Sequence, residues 1–209
     1  MTNSQVVTRI LKPAVWVLGL APLAWLVFRG LTGRLDADPV KDITHFTGRT
    51  ILAILFVTLS ITPLRRLTGF NPLIRLRRPI GLFAFFYAVI HLLIYFVFDR
   101  GLVFAELGED IAKRPYITVG FTAWMILLAL AVTSPRAMVR RLGRRWQTLH
   151  RFIYAVVGLG MLHFAWAQKQ DLYPVWQFGS LLGLVLMLRL ATLRDTSRER
   201  RAAGIGSRL

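Results

Sequence analysis

Long apolar runs alternate with short polar connections along this chain, and the runs set its architecture. Six stand out, at roughly 13–28, 45–62, 80–98, 116–133, 150–167 and 173–191. Each is about 16 to 19 residues long, close to the roughly 20 that a helix needs to cross about 30 Å of hydrocarbon. Lipid offers no partner to backbone N–H and C=O groups, so each run is predicted to be an α-helix, with its hydrogen bonds closed within the segment. The expected fold is an all-α integral membrane protein: one six-transmembrane-helix bundle, both termini cytoplasmic, with residues 1–209 forming a single domain. No linker, internal repeat or low-complexity tract divides it. The first run has the basic lead of a secretory signal in Arg9 and Lys12. No small-residue cleavage site closes it, and it is read as a retained span.

Composition agrees, since 55% hydrophobic residues exceed what a soluble domain normally carries. The net charge of +17 raises nucleic acid as a partner, and its distribution removes that reading. With both termini inside, the inner side holds 19 basic residues against Asp195 and Glu199 alone, while the outer side holds 8 basic and 8 acidic residues. That segregation is the positive-inside pattern of a multi-pass membrane protein in contact with lipid. The chain has no cysteine, which excludes disulfides, iron–sulfur clusters, thiolate-ligated haem and covalent c-type haem.

Histidine then changes the picture, because an imidazole inside a span is costly. The third run is expected to travel outward, which puts His91 in its outer half. The fifth also travels outward, with His150 at the inner boundary and His163 about 20 Å higher at 1.5 Å per residue. His91 and His163 therefore share a depth on two different helices. Two readings stay open from these residues: imidazoles hydrogen-bonded between helices, or the axial ligands of one haem iron. Ala84, Tyr87, Ala88 and Tyr95 flank His91 at helical spacing, and Val156, Gly160, Trp166 and Ala167 flank His163. Small residues of this kind admit a flat macrocycle and aromatics can pack on its edge. Thirteen residues at 100° each leave His150 and His163 about 220° apart, so an undistorted helix sends them to different sites. His150 is either a ligand of a second, inner haem or an interfacial histidine among arginines, unless a bend near Gly158 and Gly160 narrows the angle.

Four motifs carry a family resemblance: "DPVKDITHFTGRT" (38–50), "LRRPIGLFAFFYAVIHLLIY" (76–95), "KRPYITVGF" (113–121) and "RRWQTLHRFIY" with "LHFAW". Together they resemble the MsrQ family, haem-binding membrane subunits that serve a periplasmic methionine sulfoxide reductase, within the ferric-reductase-like transmembrane group. The resemblance spans about 12 to 193. It implies a six-helix cytochrome of the bacterial inner membrane that binds haem b and FMN, with His91, His150 and His163 at the positions implicated in haem binding. It also implies electrons arriving from a cytoplasmic flavin reductase or the quinone pool and leaving to a periplasmic molybdopterin subunit that repairs oxidised methionines. The wider group carries paired histidines on both the third and fifth spans. Here the third has only His91, with Arg77 and Arg78 at the inner level.

Three further expectations concern the polar residues at the two membrane surfaces. His45 and Arg49 share a helix face at the outer start of the second span; Arg49 is a candidate partner for a haem propionate, and His45 a ligand or part of an electron exit. Arg77, Arg78, Arg144, Arg145 and Arg151 suit an FMN phosphate, although topology alone also accounts for them. The acidic outer segments "LDADPVKD" and "FAELGED" are either a docking surface or solvated loops. No dinucleotide fingerprint, nucleophile with its base, or carboxylate pair appears, so the chain is expected to carry electrons rather than to hold the catalytic centre. The competing readings are a stand-alone ferric or quinone reductase and a proton-coupled transporter built on the membrane histidines.

Overall fold

In the computed structural model, which describes residues 3–168 and 173–206, no strand occurs among the described residues and six helical spans are long and apolar enough to cross a membrane. The short α1 (Asn3–Val6) and a widened turn lead into α2 (Lys12–Leu31), followed by α3 (Pro39–Thr68). A 3-10 segment, Asn71–Leu76, opens the third span and α4 (Arg77–Ile94) continues it, ending in a widened turn at Tyr95–Asp99. Then come α5 (Phe104–Lys113), α6 (Pro115–Val132), α7 (Arg136–Leu142), α8 (Arg144–His150), α9 (Ile153–Ala167) and α10 (Tyr173–Gly206). The connection 169–172 and the extreme termini, which enter the charge balance, lie outside the described residues.

Capping explains why α3 begins earlier than its apolar run. Asp38 accepts from the Lys41 N–H at 3.1 Å and Pro39 occupies the first helical position. The helix stops at Gly69, whose φ of +67° a residue with a Cβ would adopt only under strain. His45 consequently lies inside the helix rather than at its start.

The core runs through four spans, with Leu55, Phe56 and Leu59 of α3, Ala84 and Ala88 of α4, Leu127 and Leu130 of α6, and Ile153, Val156 and Val157 of α9; Val185 of α10 closes it. Three- and four-residue spacing puts each set on one helix face. Ala84 and Ala88 are small enough to let α3 and α4 backbones approach, the usual device where lipid removes any hydrophobic drive between helices. The opposite faces stay apolar and exposed, as at Trp16 and Leu18 of α2 and Leu184 and Met187 of α10.

The first run is packed into the bundle, and two of its contacts involve α4 at Gly19. Phe83 of α4 seats its ring where a Cβ on Gly19 would stand, 2.5 Å away. Beside it the buried Tyr87 hydroxyl donates to the Gly19 carbonyl at 2.7 Å and accepts from the Leu23 N–H at 3.0 Å. It bridges a donor and an acceptor that an undisturbed helix would join directly, next to Pro22, which has no N–H of its own.

Two further elements depart from the apolar pattern. The acidic segment read as loop contains α5, tethered through its buried Asp110. That carboxylate accepts from the Tyr95 hydroxyl and pairs with Arg100 at 2.6 Å and Arg114 at 2.9 Å. The fifth span is interrupted at Arg151–Phe152, between α8 and α9.

Candidate functional site

A cavity of about 480 Å³ opens between α3, α4, α6 and α9 at the end of the bundle that carries the acidic connections. His91 and His163 both line it, with ring centroids 6.3 Å apart and planes at 90°. The His163 ring is seated in a groove made by a missing side chain, and the His91 ring packs beside a second glycine. A Cβ on Gly120 would come within 2.7 Å of the His163 Nδ1, so the imidazole occupies the space that any other residue there would fill. A Cβ on Gly48 would stand 3.4 Å from the His91 Cε1.

The hydrogen bonds decide which ring nitrogen is free. His163 Nδ1 lies 2.7 Å from the Tyr116 carbonyl, which only accepts, so Nδ1 carries the proton and Nε2 keeps its lone pair. His91 Nδ1 lies 3.0 Å from the Thr47 hydroxyl oxygen. That hydroxyl has one hydrogen, and the Ile43 and Thr44 carbonyls stand 2.8 and 3.0 Å from it. The threonine proton goes to the backbone, so His91 Nδ1–H donates and Nε2 is again free. Two neutral imidazoles with unshared Nε2 lone pairs in one apolar cavity can act together as a soft-base ligand pair. Two polar atoms of the lining also lack protein partners: the Thr44 hydroxyl and the Trp124 indole N–H are buried and unpaired. Leaving such a group unsatisfied costs roughly 1–3 kcal/mol, which favours an occupant with hydrogen-bonding groups of its own.

At the arginine-rich end a second cavity, of about 500 Å³, is lined by His150, Arg77, Arg78, Arg151 and Arg189, together with Trp146 and Tyr154. His150 stacks on Trp146 at 4.0 Å and its Nε2 lies 3.2 Å from the Thr133 hydroxyl. Thr133 itself donates to the Ala129 carbonyl at 2.7 Å, so His150 holds its proton on Nε2 and presents Nδ1. Leu127, 4% exposed, belongs to the wall of both cavities.

The structure thus brings His91 and His163 together and sends His150 to the other site. His45 lines the first cavity, at the acidic end, whereas Arg49 is exposed and does not; the cation in that lining is Lys41. Arg77, Arg78 and Arg151 meet at the second cavity, at the arginine-rich end, and Arg144 and Arg145 stand in exposed positions outside its lining. Of the small and aromatic neighbours, Ala88, Tyr95, Val156, Gly160, Trp166 and Ala167 do line the first cavity, but Tyr87 turns to α2 instead. Sequence reasoning missed Thr47, Gly48 and Gly120. None of the three was distinguishable in the sequence from other threonines and glycines of the spans, and the Tyr116 carbonyl, being backbone, carried no signal.

Comparison with known proteins gives a family match: residues 46–161 match the ferric reductase like transmembrane component. A protein-methionine-sulfoxide reductase heme-binding subunit MsrQ from Ralstonia nicotianae is 47% identical over 199 residues, covering 94% of this chain and 92% of its own. Its counterpart from Bordetella pertussis is 48% identical over 183 residues, covering 87% and 89% respectively. The one from Xanthomonas campestris is 44% identical over 209 residues, covering 95% and 96%.

Proposed function

This chain belongs to the MsrQ family within the ferric-reductase-like transmembrane group, and from that premise we propose that it is a cytochrome b of the inner membrane that passes electrons outward to a periplasmic methionine sulfoxide reductase subunit. The observation that carries the reading is the paired imidazoles. Their ring centres lie 6.3 Å apart, a separation at which one metal ion could take a nitrogen from each ring at about 2 Å. The glycine-made groove and the unpaired lining atoms support the same occupant. The residues therefore fit haem b. When bound, haem supplies a one-electron iron couple. His91 and His163 would hold it through Nε2, and Lys41 would offer a cation to a propionate at the acidic end. Leu52, Leu55 and Ala88 keep the cavity wall apolar.

Electrons enter, in this reading, from a cytoplasmic flavin reductase or the quinone pool at the arginine-rich end. The inner cavity supports a flavin more than a second bis-imidazole haem, because His150 is the one imidazole in its lining and Arg77, Arg78 and Arg151 offer guanidinium forks to a phosphate. The proposal places FMN there, with His150 as its neighbour.

Purification in mild detergent, with haem and flavin counted per polypeptide, tests both assignments. His91→Ala and His163→Ala should each abolish the outer haem signal. An Arg77→Gln/Arg78→Gln pair should lose flavin at least tenfold while keeping that haem. Full haem in both histidine variants would end the proposal.

A further inference from the structure

Thr47 makes an unusual pair of bonds, and their meaning depends on haem occupying the outer cavity. Threonine and serine hydroxyls that donate back to the carbonyl four residues earlier recur along α3, at Thr50, Thr58 and Ser60. That bond alone is an ordinary way to satisfy a hydroxyl inside lipid. Thr47 differs in being 0% exposed and in offering its remaining lone pair to a second group, His91 Nδ1. A hydroxyl whose proton is already committed to a carbonyl is polarised into a better acceptor. The His91 proton is held on Nδ1 as a result, and Gly48, the next residue, leaves space for the ring edge.

We propose that Thr47 is a positioning residue that fixes His91 as the tautomer with Nε2 facing the cavity. His163 donates to the Tyr116 carbonyl at 2.7 Å, whereas His91 donates to the Thr47 hydroxyl at 3.0 Å with the Thr44 carbonyl as a second acceptor. Of those two acceptors the Thr47 hydroxyl is the side chain, so it is the one a substitution can remove.

The test compares Thr47→Val, Thr47→Ser and His91→Ala in the full chain. Valine keeps the shape of threonine but cannot accept. Its outer haem should show a raised midpoint potential and a changed low-spin electron paramagnetic resonance signal, and haem affinity should fall roughly tenfold, the low end for losing a partner of a metal-ligating histidine. For a one-electron couple, a tenfold change in ferric preference is about 59 mV. Serine keeps the hydroxyl and should restore potential, spectrum and affinity. Wild-type potential and spectrum in Thr47→Val would overturn the inference, and so would equal damage in the Val and Ser variants, since packing alone would then account for both. Should Thr47→Val fail to insert, Thr47→Ala replaces it against the same serine control. Retained haem in His91→Ala overturns the underlying haem reading instead, so the two failures are distinguishable.

Discussion

Gly120 shows how much a single missing side chain does at this site. Its absent Cβ is the seat of the His163 ring, and the ring cannot slide aside without losing the Tyr116 carbonyl. Inserting one methyl where the nearest atoms stand 2.7 to 3.0 Å away is overpacking, which costs typically 1–3 kcal/mol in a filled core. Part of that cost falls on the ligand geometry, so Gly120→Ala should weaken haem retention by about tenfold, equivalent to about 1.4 kcal/mol. Gly48→Ala meets His91 at 3.4 Å, an ordinary contact distance, and should be nearly silent. Titration of apoprotein with haemin measures both, and equal affinities in the two variants would contradict the seat assigned to Gly120. The histidines themselves were legible in the sequence because an imidazole is conspicuous in lipid. Thr47 and Gly120 were silent there, since threonine and glycine are common in spans and only the fold reveals what touches them.

Elements were legible where hydropathy alone dictates them, and obscure where a tertiary contact does. All six spans follow from length and apolarity, and the capped start of α3 extends one of them by six residues, from 45 to Pro39. The helix α5 has four charged residues in Phe104–Lys113 and no apolar run to announce it. Its anchor is the Asp110 cluster with Tyr95, Arg100 and Arg114, whose partners lie on neighbouring elements. Likewise the attachment of α2 depends on Tyr87, which helical spacing assigned to the surroundings of His91. Tyr87→Phe removes the bridge between Leu23 and Gly19 but leaves the aromatic packing. It should cost about 1–2 kcal/mol, the worth of one to two such bonds. Detergent unfolding curves read this directly, and an unchanged midpoint would mean that the other contacts of α2, such as Phe83 at Gly19 and the Arg29–Asp42 pair, hold it without the bridge.

At the scale of the whole molecule, six spans return the last described helix to the end where the first begins, and that end carries the arginines of the inner cavity. Its assignment to the cytoplasm rests on charge. The chain has no cysteine of its own, so single cysteines report sidedness without background. Glu106→Cys should react with an impermeant maleimide in cells whose outer membrane alone is opened, and Arg140→Cys only after the inner membrane is breached. The opposite pattern would invert the proposed direction of electron flow.

Leu127 stands in the partition shared by the two cavities, and this gives the molecule an electrical property. On the proposed route an electron crossing there moves along the membrane normal, so the transmembrane voltage does work on it. A full crossing is worth about 2.3 kcal/mol per 100 mV. On that route, in a cell that is negative inside, the field would push the electron outward and favour reduction of the proposed haem from the cytoplasmic end. Vesicles holding the protein should therefore reduce the outer haem faster when an inside-negative potassium diffusion potential is imposed at the donor side. An ionophore that collapses the potential should cancel the gain.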